Sequence, residues 1–514
     1  MSTTTSRSRR RAKPSDAEEE PTNAIAPLPA AVAAAIVFVA AGSVLVLEIL
    51  SVRLLAPYVG LTLETTTSII GAVLLGIAVG AGAGGWIADR TSPPRLLVGL
   101  LIGGSLLALL TVPIVRWLGP SADEGGTAGA LKVTFAALVP VAAVLSAISP
   151  TVAHWQLRDL RASGTIIGGL SAWATAGALV GTFGTGFVLV PLLSVSTSVL
   201  AVGIALAVAG ILLGAYTHLF RAGAVVSTIL AAAAIGAIGP SLQSPCDAET
   251  SYHCIKVTLA SSPAAGRYLF LDREANSFVD LDDARDLGTF QYVRWIADTI
   301  KTVSTPKAPL QAVFVGGGGF TLPRWLEAAR PGSRSNVLEV DKQLVEFDEH
   351  HLGLQTSTGV HATIGDARLT MRRERSRSAD VVVGDAFSGL TVPWQLMTTA
   401  WLREVRRVLK PGGIYALNII DLPPLALLRA EAASLLEVFG NLRMITMATK
   451  DGQPTGGNAV LIASDAPLPP QLGPPAAGAT LFARAAIVRL AAGAKALTDD
   501  YAPVDQLQTR SATG

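Results

Sequence analysis

The sequence has little charge. Aspartate, glutamate, lysine and arginine make up 15% of the 514 residues, against roughly 25% in an average soluble domain. The mean hydropathy is +0.48. The scarcity is local, because acids and bases are few between about residues 25 and 240 but ordinary in the rest of the chain. This asymmetry predicts two unlike parts, one embedded in a membrane and one globular.

The charges nearly cancel, and cysteines are few. A formal net charge of +2 is too small to indicate nucleic acid as a partner. No internal repeat of the length typical of solenoid proteins is present. The two cysteines, Cys246 and Cys254, follow the last apolar stretch. They would pair in an oxidising compartment and remain reduced thiols elsewhere, and the sequence leaves both readings open.

The apolar part contains seven stretches long enough to cross a bilayer, which requires about 20 mainly apolar residues. These are Ala26–Leu50, Thr66–Ile87, Leu96–Leu118, Ala130–Val152, Ile166–Val190, Val195–Leu219 and Ala222–Ile238. The first stretch is too long to be a removed signal peptide, and it lacks the small-residue cleavage site of one. A disordered tail is therefore expected over residues 1–24, and a multi-pass domain of the plasma or inner membrane over residues 25–240.

Basic residues in the short loops indicate how the spans are oriented. Arginines precede the first span and recur after the second, fourth and sixth spans, at Arg90, Arg158 and Arg221. These loops and the N-terminus are therefore expected in the cytoplasm. Seven spans would place the C-terminal domain outside and one span fewer would place it inside, so its side stays open.

Two features within the spans suggest specific contacts. Gly76, Gly80 and Gly84 share one helical face, which predicts close packing against a neighbouring helix. Glu48 lies near the end of the first span, where a charge is costly and usually partnered. Arg53 is the nearest candidate by sequence, and a structural ion pair is favoured over a substrate or proton site.

From about residue 244 the pattern changes to that of a globular domain. The segments "YHCIKVTLA" and "RYLFLD" predict a small β-hairpin subdomain, which together with a linker and a following helix occupies residues 241–305. Apolar strands then alternate with amphipathic helices over residues 306–510. This alternation predicts a doubly wound, mostly parallel α/β sheet of the Rossmann-like, class I methyltransferase type.

Four strand ends of that sheet carry glycines or an acid, and ligands bind such sheets at the strand ends. Gly316–Gly319 allow backbone to approach a ligand. Glu339, about twenty residues further on, can accept hydrogen bonds from both ribose hydroxyls, with Asp341 as the spare. Asp366 could hold an adenine amino group, and Asp385 lies at the mouth of the cleft. Each acid alone fits a helix cap or loop anchor better, but together they predict an adenosyl site without a pyrophosphate.

Motifs over nearly the whole chain resemble the spermidine synthase (polyamine aminopropyltransferase) family, and most closely its membrane-fused bacterial relatives. In the membrane part the matching segments are "LVLEILSVRLLAPYVG" and "GAVLLGIAVGAGAGGWIADR". In the globular part they are "ETSYHCIKV", "GRYLFLD", "VGGGGFTLPRWL", "LEVDKQLVEF", "GDARL", "VVVGDAFSGLTVPWQL", "LKPGGIYALNIID" and "LTDDYAPVDQL".

The resemblance implies a reaction in which decarboxylated S-adenosylmethionine gives its aminopropyl group to an amine such as putrescine. It implies Asp385 as the catalytic base, because the amine must lose a proton to become a nucleophile. The residues assigned to the donor are Gly316, Gly317, Gly318, Gly319, Glu339, Asp366 and Ala367. Those assigned to the amine are Tyr252, His253, Asp500 and Tyr501, with Asp499 and Asp505 as further acids in the same loop.

The same resemblance sets the expected cofactors and partners. No metal and no prosthetic group is expected, because a sulfonium supplies its own leaving group. Decarboxylated S-adenosylmethionine, or S-adenosylmethionine itself, is a co-substrate. The expected partners are a small amine and the lipid bilayer, without nucleic acid, and a homodimer is left open.

Three positions depart from the family pattern. Phe320 follows the glycines where an acid is common, Ser388 stands three residues after the base in place of a second aspartate, and His253 replaces a glutamine. Two alternatives to a polyamine synthase therefore stay open. One is a methyltransferase that uses S-adenosylmethionine, and the other is a transporter or sensor whose synthase-like domain is catalytically impaired.

Overall fold

The computed structural model describes residues 28–60, 63–122, 126–157, 163–219, 244–302, 308–356, 359–468, 472 and 478–508. An N-terminal bundle of apolar helices is followed by a globular α/β part. The predicted fold class, a helical membrane-type domain joined to a Rossmann-like domain, is confirmed.

Six helical segments of the described chain are long and apolar enough to cross a membrane. The helices of the bundle are α1 (Ala30–Val59), α2 (Leu63–Ala88), α3 (Pro93–Ala122), α4 (Gly126–Ser146), α5 (Ile148–Gln156), α6 (Ser163–Gly184) and α7 (Val195–Tyr216). A π-helical turn, Thr185–Leu189, extends α6, and α4 with α5 forms one crossing. The seventh predicted span, Ala222–Ile238, lies outside the described residues.

Glycines let the helices of the bundle approach closely, as their spacing predicted. A methyl group added at Gly76 would lie 2.7 Å from Ala142 Cβ, and one at Gly84 would lie 2.6 Å from Ala147 Cα. These contacts join α2 to α4 and α5. Because no side chain larger than hydrogen fits there, dispersion contacts between backbones stabilise the pair.

The predicted ion pair between Glu48 and Arg53 is wrong. The guanidinium of Arg53 donates instead to the backbone carbonyls of Ser251 and Thr250 in the globular part. Five residues along an α-helix correspond to a rotation of about 140° around its axis, so the two side chains leave α1 in different directions. Sequence proximity alone misassigned the partner.

The globular part begins with a four-stranded antiparallel sheet rather than the predicted hairpin. Its strands, in the order β1-β2-β3-β4, are β1 (Ala248–Glu249), β2 (Cys254–Leu259), β3 (Gly266–Leu271) and β4 (Glu274–Asp280). The short β1 and the strand β4 extend the hairpin that the sequence indicated. A disulfide between Cys246 and Cys254 ties β2 to the segment preceding β1.

The large sheet has eight strands in the order β12-β10-β11-β9-β8-β5-β6-β7. The strands are β5 (Gln311–Val315), β6 (Arg334–Glu339), β7 (Val360–Ile364), β8 (Ala379–Gly384), β9 (Leu409–Asp421), β10 (Asn441–Ala448), β11 (Pro454–Ser464) and β12 (Ala479–Phe482). Strands β5 to β9 run parallel, and β10, β11 and β12 are added antiparallel. The sheet is thus mostly parallel at the end where the acids were predicted to gather.

Helices cover both faces of this sheet. They are α8 (Gln291–Lys301), α9 (Thr321–Ala329), α10 (Lys342–His351), α11 (Ala367–Met371), α12 (Thr399–Val408), α13 (Ala426–Val438), α14 (Arg484–Ala491) and α15 (Val504–Leu507). Alternate residues of β5 enter different cores, since Val313 and Val315 join one apolar cluster and Ala312 and Phe314 the other. Burial on both sides explains why these strands read as continuous apolar runs.

The globular part packs against one end of the bundle. The backbone amide of Val195, at the start of α7, donates to Glu249 Oε2 over 2.7 Å. Together with the bonds from Arg53 near the end of α1, this contact fixes β1 and the following turn to the helix ends. The opposite end of the bundle carries two exposed arginines, Arg90 in the loop between α2 and α3 and Arg95 in the first turn of α3.

Candidate active site

The carboxyl ends of the parallel strands form one edge of the large sheet. Backbone hydrogen bonds continue past the strands, from Asp385 N to Val315 O over 3.0 Å and from Gly365 N to Glu339 O over 2.8 Å. The loops after β5, β6, β7 and β8 are therefore held side by side. This is the edge at which the sequence predicted a ligand cleft.

The glycine loop after β5 is packed closely against neighbouring residues, so its glycines do not leave empty space. Gly316 has φ +93°, and a methyl group there would lie 2.6 Å from the carbonyl oxygen of Asp385. A methyl group at Gly319 would lie 2.7 Å from Val279 Cγ2 in β4. The loop is thus pressed between β8 and the small sheet, and only glycine fits at these two positions.

Glu339, at the end of β6, is held beside this loop. Its Oε2 accepts a hydrogen bond from Gly317 N over 2.7 Å, and its Oε1 accepts one from Asp341 N over 2.8 Å. The side chain is 6% exposed. Burial raises the pKa of the carboxyl, while the two backbone bonds act in the other direction. The carboxylate is positioned at the cleft with further lone pairs available to hydroxyl donors.

Asp366 and Asp341 both cap helices. Asp366 Oδ1 accepts from Arg368 N over 2.8 Å at the start of α11. Asp341 accepts from Gln343 N over 3.1 Å at the start of α10. Asp366 is exposed and lines the cleft, whereas Asp341 is buried and does not line it.

Asp385 follows β8 and lies at the floor of the cleft. Its Oδ1 accepts a hydrogen bond from Asn418 Nδ2 over 3.0 Å, and the Tyr292 hydroxyl forms another. Burial raises the pKa of Asp385 to about 6, although the two hydrogen bonds favour the ionised form. A carboxyl with this pKa is ionised at neutral pH and can still accept a proton.

The cleft between these loops has a volume of about 550 Å³. Three carboxylates line it, from Glu339, Asp366 and Asp385, and its described lining contains neither lysine nor arginine. The rest of the lining is Tyr252, His253, Leu271, Asn276, Gly316, Gly317, Gly318, Leu338, Val340, Leu344, Gly365, Ala367, Ala386, Phe387, Ser388, Pro393, Gln395 and Leu396. Such a cavity favours a cationic ligand with apolar surface.

The turn between β1 and β2 forms the wall of the cleft opposite the strand ends, through Tyr252 and His253. His253 Nδ1 lies 3.0 Å from Asp272 Oδ2. Burial disfavours the imidazolium, but the bond to Asp272 and the nearby charges of Asp341 and Glu339 outweigh it and raise the pKa of His253. The imidazole is thereby fixed in orientation at the rim of an acidic cavity.

Some residues assigned to the site from the sequence make other contacts. Gly319 packs under the small sheet and is absent from the cleft lining, as are Asp500 and Tyr501. The Tyr501 ring instead accepts the Lys495 ammonium at 3.8 Å, and Asp499 forms an ion pair with Arg368. Among the described residues, no cluster of histidine, cysteine or acidic side chains could hold a metal ion.

Two residues beside Asp385 were missed by the sequence reasoning. Tyr292 lies on α8 and Asn418 on β9, distant from the strand-end motifs. Asn458 Nδ2 donates to Asn418 Oδ1 over 3.1 Å, which fixes the amide so that its nitrogen faces Asp385. The one available signal was a polar residue in the apolar strand "GGIYALNII".

The globular domain is similar to known transferases. The chain is 27% identical over 184 residues to a polyamine aminopropyltransferase from Vibrio vulnificus, a match covering 35% of this chain and 58% of that protein. The predicted likeness to the spermidine synthase family is confirmed. The match spans less than two thirds of that relative, and no family model matches the chain.

The spermidine synthase-like domain is also similar to methyltransferases. An eEF1A lysine and N-terminal methyltransferase from Danio rerio is 27% identical over 127 residues, which cover 23% of this chain and 18% of that protein. Among solved structures, a probable spermidine synthase from Corynebacterium glutamicum is 25% identical and matches with a TM-score of 0.45. That match covers 48% of this chain and 94% of the other.

Proposed function

We propose that the protein is a membrane-bound aminopropyltransferase that transfers the aminopropyl group of decarboxylated S-adenosylmethionine to putrescine or a related amine. One observation carries the proposal: a cleft lined by three carboxylates, with no lysine or arginine in its described lining, has Asp385 at its floor. Donor and acceptor are both cations, and carboxylates stabilise cations in a partly desolvated cavity.

The adenosyl part of the donor binds across β5, β6 and β7. Glu339 accepts hydrogen bonds from the ribose hydroxyls, and its position is fixed by Gly317 N and Asp341 N. Asp366 caps α11 through Oδ1, so its other oxygen serves the adenine amino group. Ala367 and the backbone of Gly316–Gly318 form the surface against which the donor lies.

The chemistry requires one proton acceptor and no metal. The amine nitrogen attacks the aminopropyl carbon bound to the sulfonium, the carbon–sulfur bond breaks, and its electron pair stays on sulfur in methylthioadenosine. The proton of the amine passes to Asp385, whose pKa of about 6 suits a general base near neutral pH. Tyr292 and Asn418 orient the carboxylate, and Tyr252 and His253 contact the acceptor from the opposite wall.

The methyltransferase alternative is favoured by the similarity to methyltransferases. Intact S-adenosylmethionine carries a carboxylate, which needs a partner in the cleft. The described lining of the cleft has three acids, which would repel this carboxylate, and His253 is the one side chain there that can carry a positive charge. The composition of the cleft therefore favours the decarboxylated donor.

The test uses the full-length protein in lipid nanodiscs. Both donors are supplied with putrescine, and methylthioadenosine, spermidine and S-adenosylhomocysteine are quantified by mass spectrometry. We expect methylthioadenosine with the decarboxylated donor, and a loss of at least about a hundredfold in Asp385→Asn. Asp380→Asn is the matched control, because Asp380 lies at the other end of β8 and bonds Lys410. Turnover of S-adenosylmethionine alone would overturn the proposal in favour of a methyltransferase.

A further inference from the structure

The first membrane helix contacts the wall of the cleft through the side chain of Arg53. Arg53 lies near the end of α1, and its guanidinium donates to the carbonyls of Thr250 and Ser251. The carboxylates of Asp272, Glu249 and Asp341 in the globular part lie close enough to act on its charge. Its Nε is buried and has no hydrogen-bond partner within the described part of the chain. Its direct hydrogen bonds go to one backbone turn of the globular part.

The same turn also forms hydrogen bonds with Asp341 and Gln343, at the start of α10 in the large domain. Ser251 N and Ser251 Oγ both donate to Gln343 Oε1, over 2.6 and 3.0 Å. The Thr250 hydroxyl donates to Asp341, and Asp341 N donates to Glu339. Three consecutive contacts thus connect the membrane helix to the acid assigned to the ribose.

The residues that follow in the turn form the wall itself. Tyr252 and His253 line the cleft, and both also line a small crevice between the domains, opposite Arg53, Tyr58 and Arg116. The hydroxyl of Thr250 accepts from Tyr252 N over 3.1 Å and from His253 N over 2.8 Å. Displacement of Thr250 would therefore move both side chains.

We propose that Arg53 is a positioning residue for the cleft, so that the membrane bundle sets the geometry of the active site instead of only anchoring it. The inference rests on the proposed function, because it assumes that the cleft binds an adenosyl ligand. Loss of the hydrogen bonds from Arg53 lets the turn shift and weakens ligand binding. The base Asp385, on the far side of the cleft, keeps its environment.

The test compares Arg53→Met, Arg53→Lys and the control Arg90→Met in full-length protein. Arg90 lies at the other end of the bundle and bonds the carbonyl of Trp86. Binding of methylthioadenosine is measured by isothermal titration, and KM and kcat are measured separately. We expect Arg53→Met to weaken binding and raise KM by about tenfold, with kcat changed less, and Arg53→Lys to restore part of the affinity.

Thermal melting and gel filtration distinguish this role from general support of the fold. A lower melting temperature with unchanged affinity below the transition would show a merely structural arginine and overturn the inference, while leaving the proposed function intact. Absence of methylthioadenosine binding in the unmodified protein would overturn both.

A second inference comes from the loops and the cysteines. The globular domain packs on the helix ends at Arg53 and Val195. The basic residues Arg90, in the loop after α2, and Arg95, in the first turn of α3, lie at the other end of the bundle. Basic loops stay in the cytoplasm. The disulfide between Cys246 and Cys254 is typical of oxidising compartments.

We infer that the spermidine synthase-like domain lies on the non-cytoplasmic face of the membrane. Its donor then has to cross the membrane, so an export step precedes the reaction. The test fuses alkaline phosphatase or green fluorescent protein after Gly514. Three results would support a non-cytoplasmic domain: an active phosphatase fusion, a green fluorescent protein fusion that does not fluoresce, and thiols that react with maleimide only after reduction. A fluorescent fusion with two reactive thiols would place the domain in the cytoplasm and overturn the inference.

Discussion

Asn418 donates its side-chain amide to Asp385 Oδ1 over 3.0 Å, from the neighbouring strand of the sheet. Asn458, one strand further on, fixes the orientation of that amide. The carboxylate at the floor of the cleft is therefore oriented by residues of the sheet itself. Its properties give the first predictions.

Turnover should fall on the acidic side with an apparent pKa of about 6. Burial raises the pKa of Asp385 to about 6, and only the ionised carboxylate accepts the proton of the amine. Initial rates of methylthioadenosine formation between pH 5 and pH 9, at saturating donor, measure this limb. A rate independent of pH between 5 and 7 would contradict the assignment of Asp385 as the base.

Asn418→Leu should move that limb upward by about one pH unit. The hydrogen bond from Asn418 stabilises the ionised form of Asp385, so its loss makes ionisation less favourable. The pH profile of the variant is compared with that of Asn441→Leu, since Asn441 bonds a distant backbone carbonyl. Equal profiles in the two variants would show that Asn418 does not tune the base.

Asp385→Asn should stabilise the protein while it abolishes turnover. Because burial raises the folded pKa from the ordinary value of 3.8 to about 6, the folded state binds more protons between these values, and stability falls as pH rises through this window. Above pH 6 the penalty is at most about 3 kcal/mol, since each pKa unit corresponds to about 1.4 kcal/mol. Melting temperatures at pH 4 and pH 8 check this, because the gain should appear at pH 8 and shrink at pH 4.

Glu431→Gln should raise the melting temperature without changing turnover. Glu431 is completely buried in α13, and neither carboxyl oxygen has a hydrogen-bond partner among the described residues. Burial raises the pKa of this carboxyl far above its ordinary value, so the folded state keeps a proton that the unfolded state releases. Stability therefore falls as pH rises above that ordinary value, and the neutral amide of glutamine removes this penalty. Glu437→Gln, on the exposed side of the same helix, is the control and should leave the melting temperature unchanged.

Reduction of the disulfide should lower the melting temperature and loosen the turn before β2. The bridge between Cys246 and Cys254 closes a short loop that contains Thr250 to His253, and closure of such a loop stabilises by about 2–3 kcal/mol. Melting with and without reductant measures the effect, and Cys246→Ser combined with Cys254→Ser should show the low value under both conditions. Equal melting temperatures with and without reductant in the unmodified protein would contradict it.

The sequence by itself determined the large features. Six apolar stretches became helices because length and hydropathy are local properties. The glycine loop, Glu339, Asp366 and Asp385 converge because the carboxyl ends of parallel strands share one edge. Their individual binding roles remain proposals that the experiments above test.

The tertiary structure decided which groups meet across long separations in the chain. It gave Arg53 a backbone turn about two hundred residues away instead of Glu48, since helix rotation separates the near neighbours. It left Asp500 and Tyr501 out of the residues that line the cleft and brought Tyr292 and Asn418 to Asp385. Hydropathy patterns specify which face of an element is buried, but a polar contact depends on register and packing, which only the folded chain fixes.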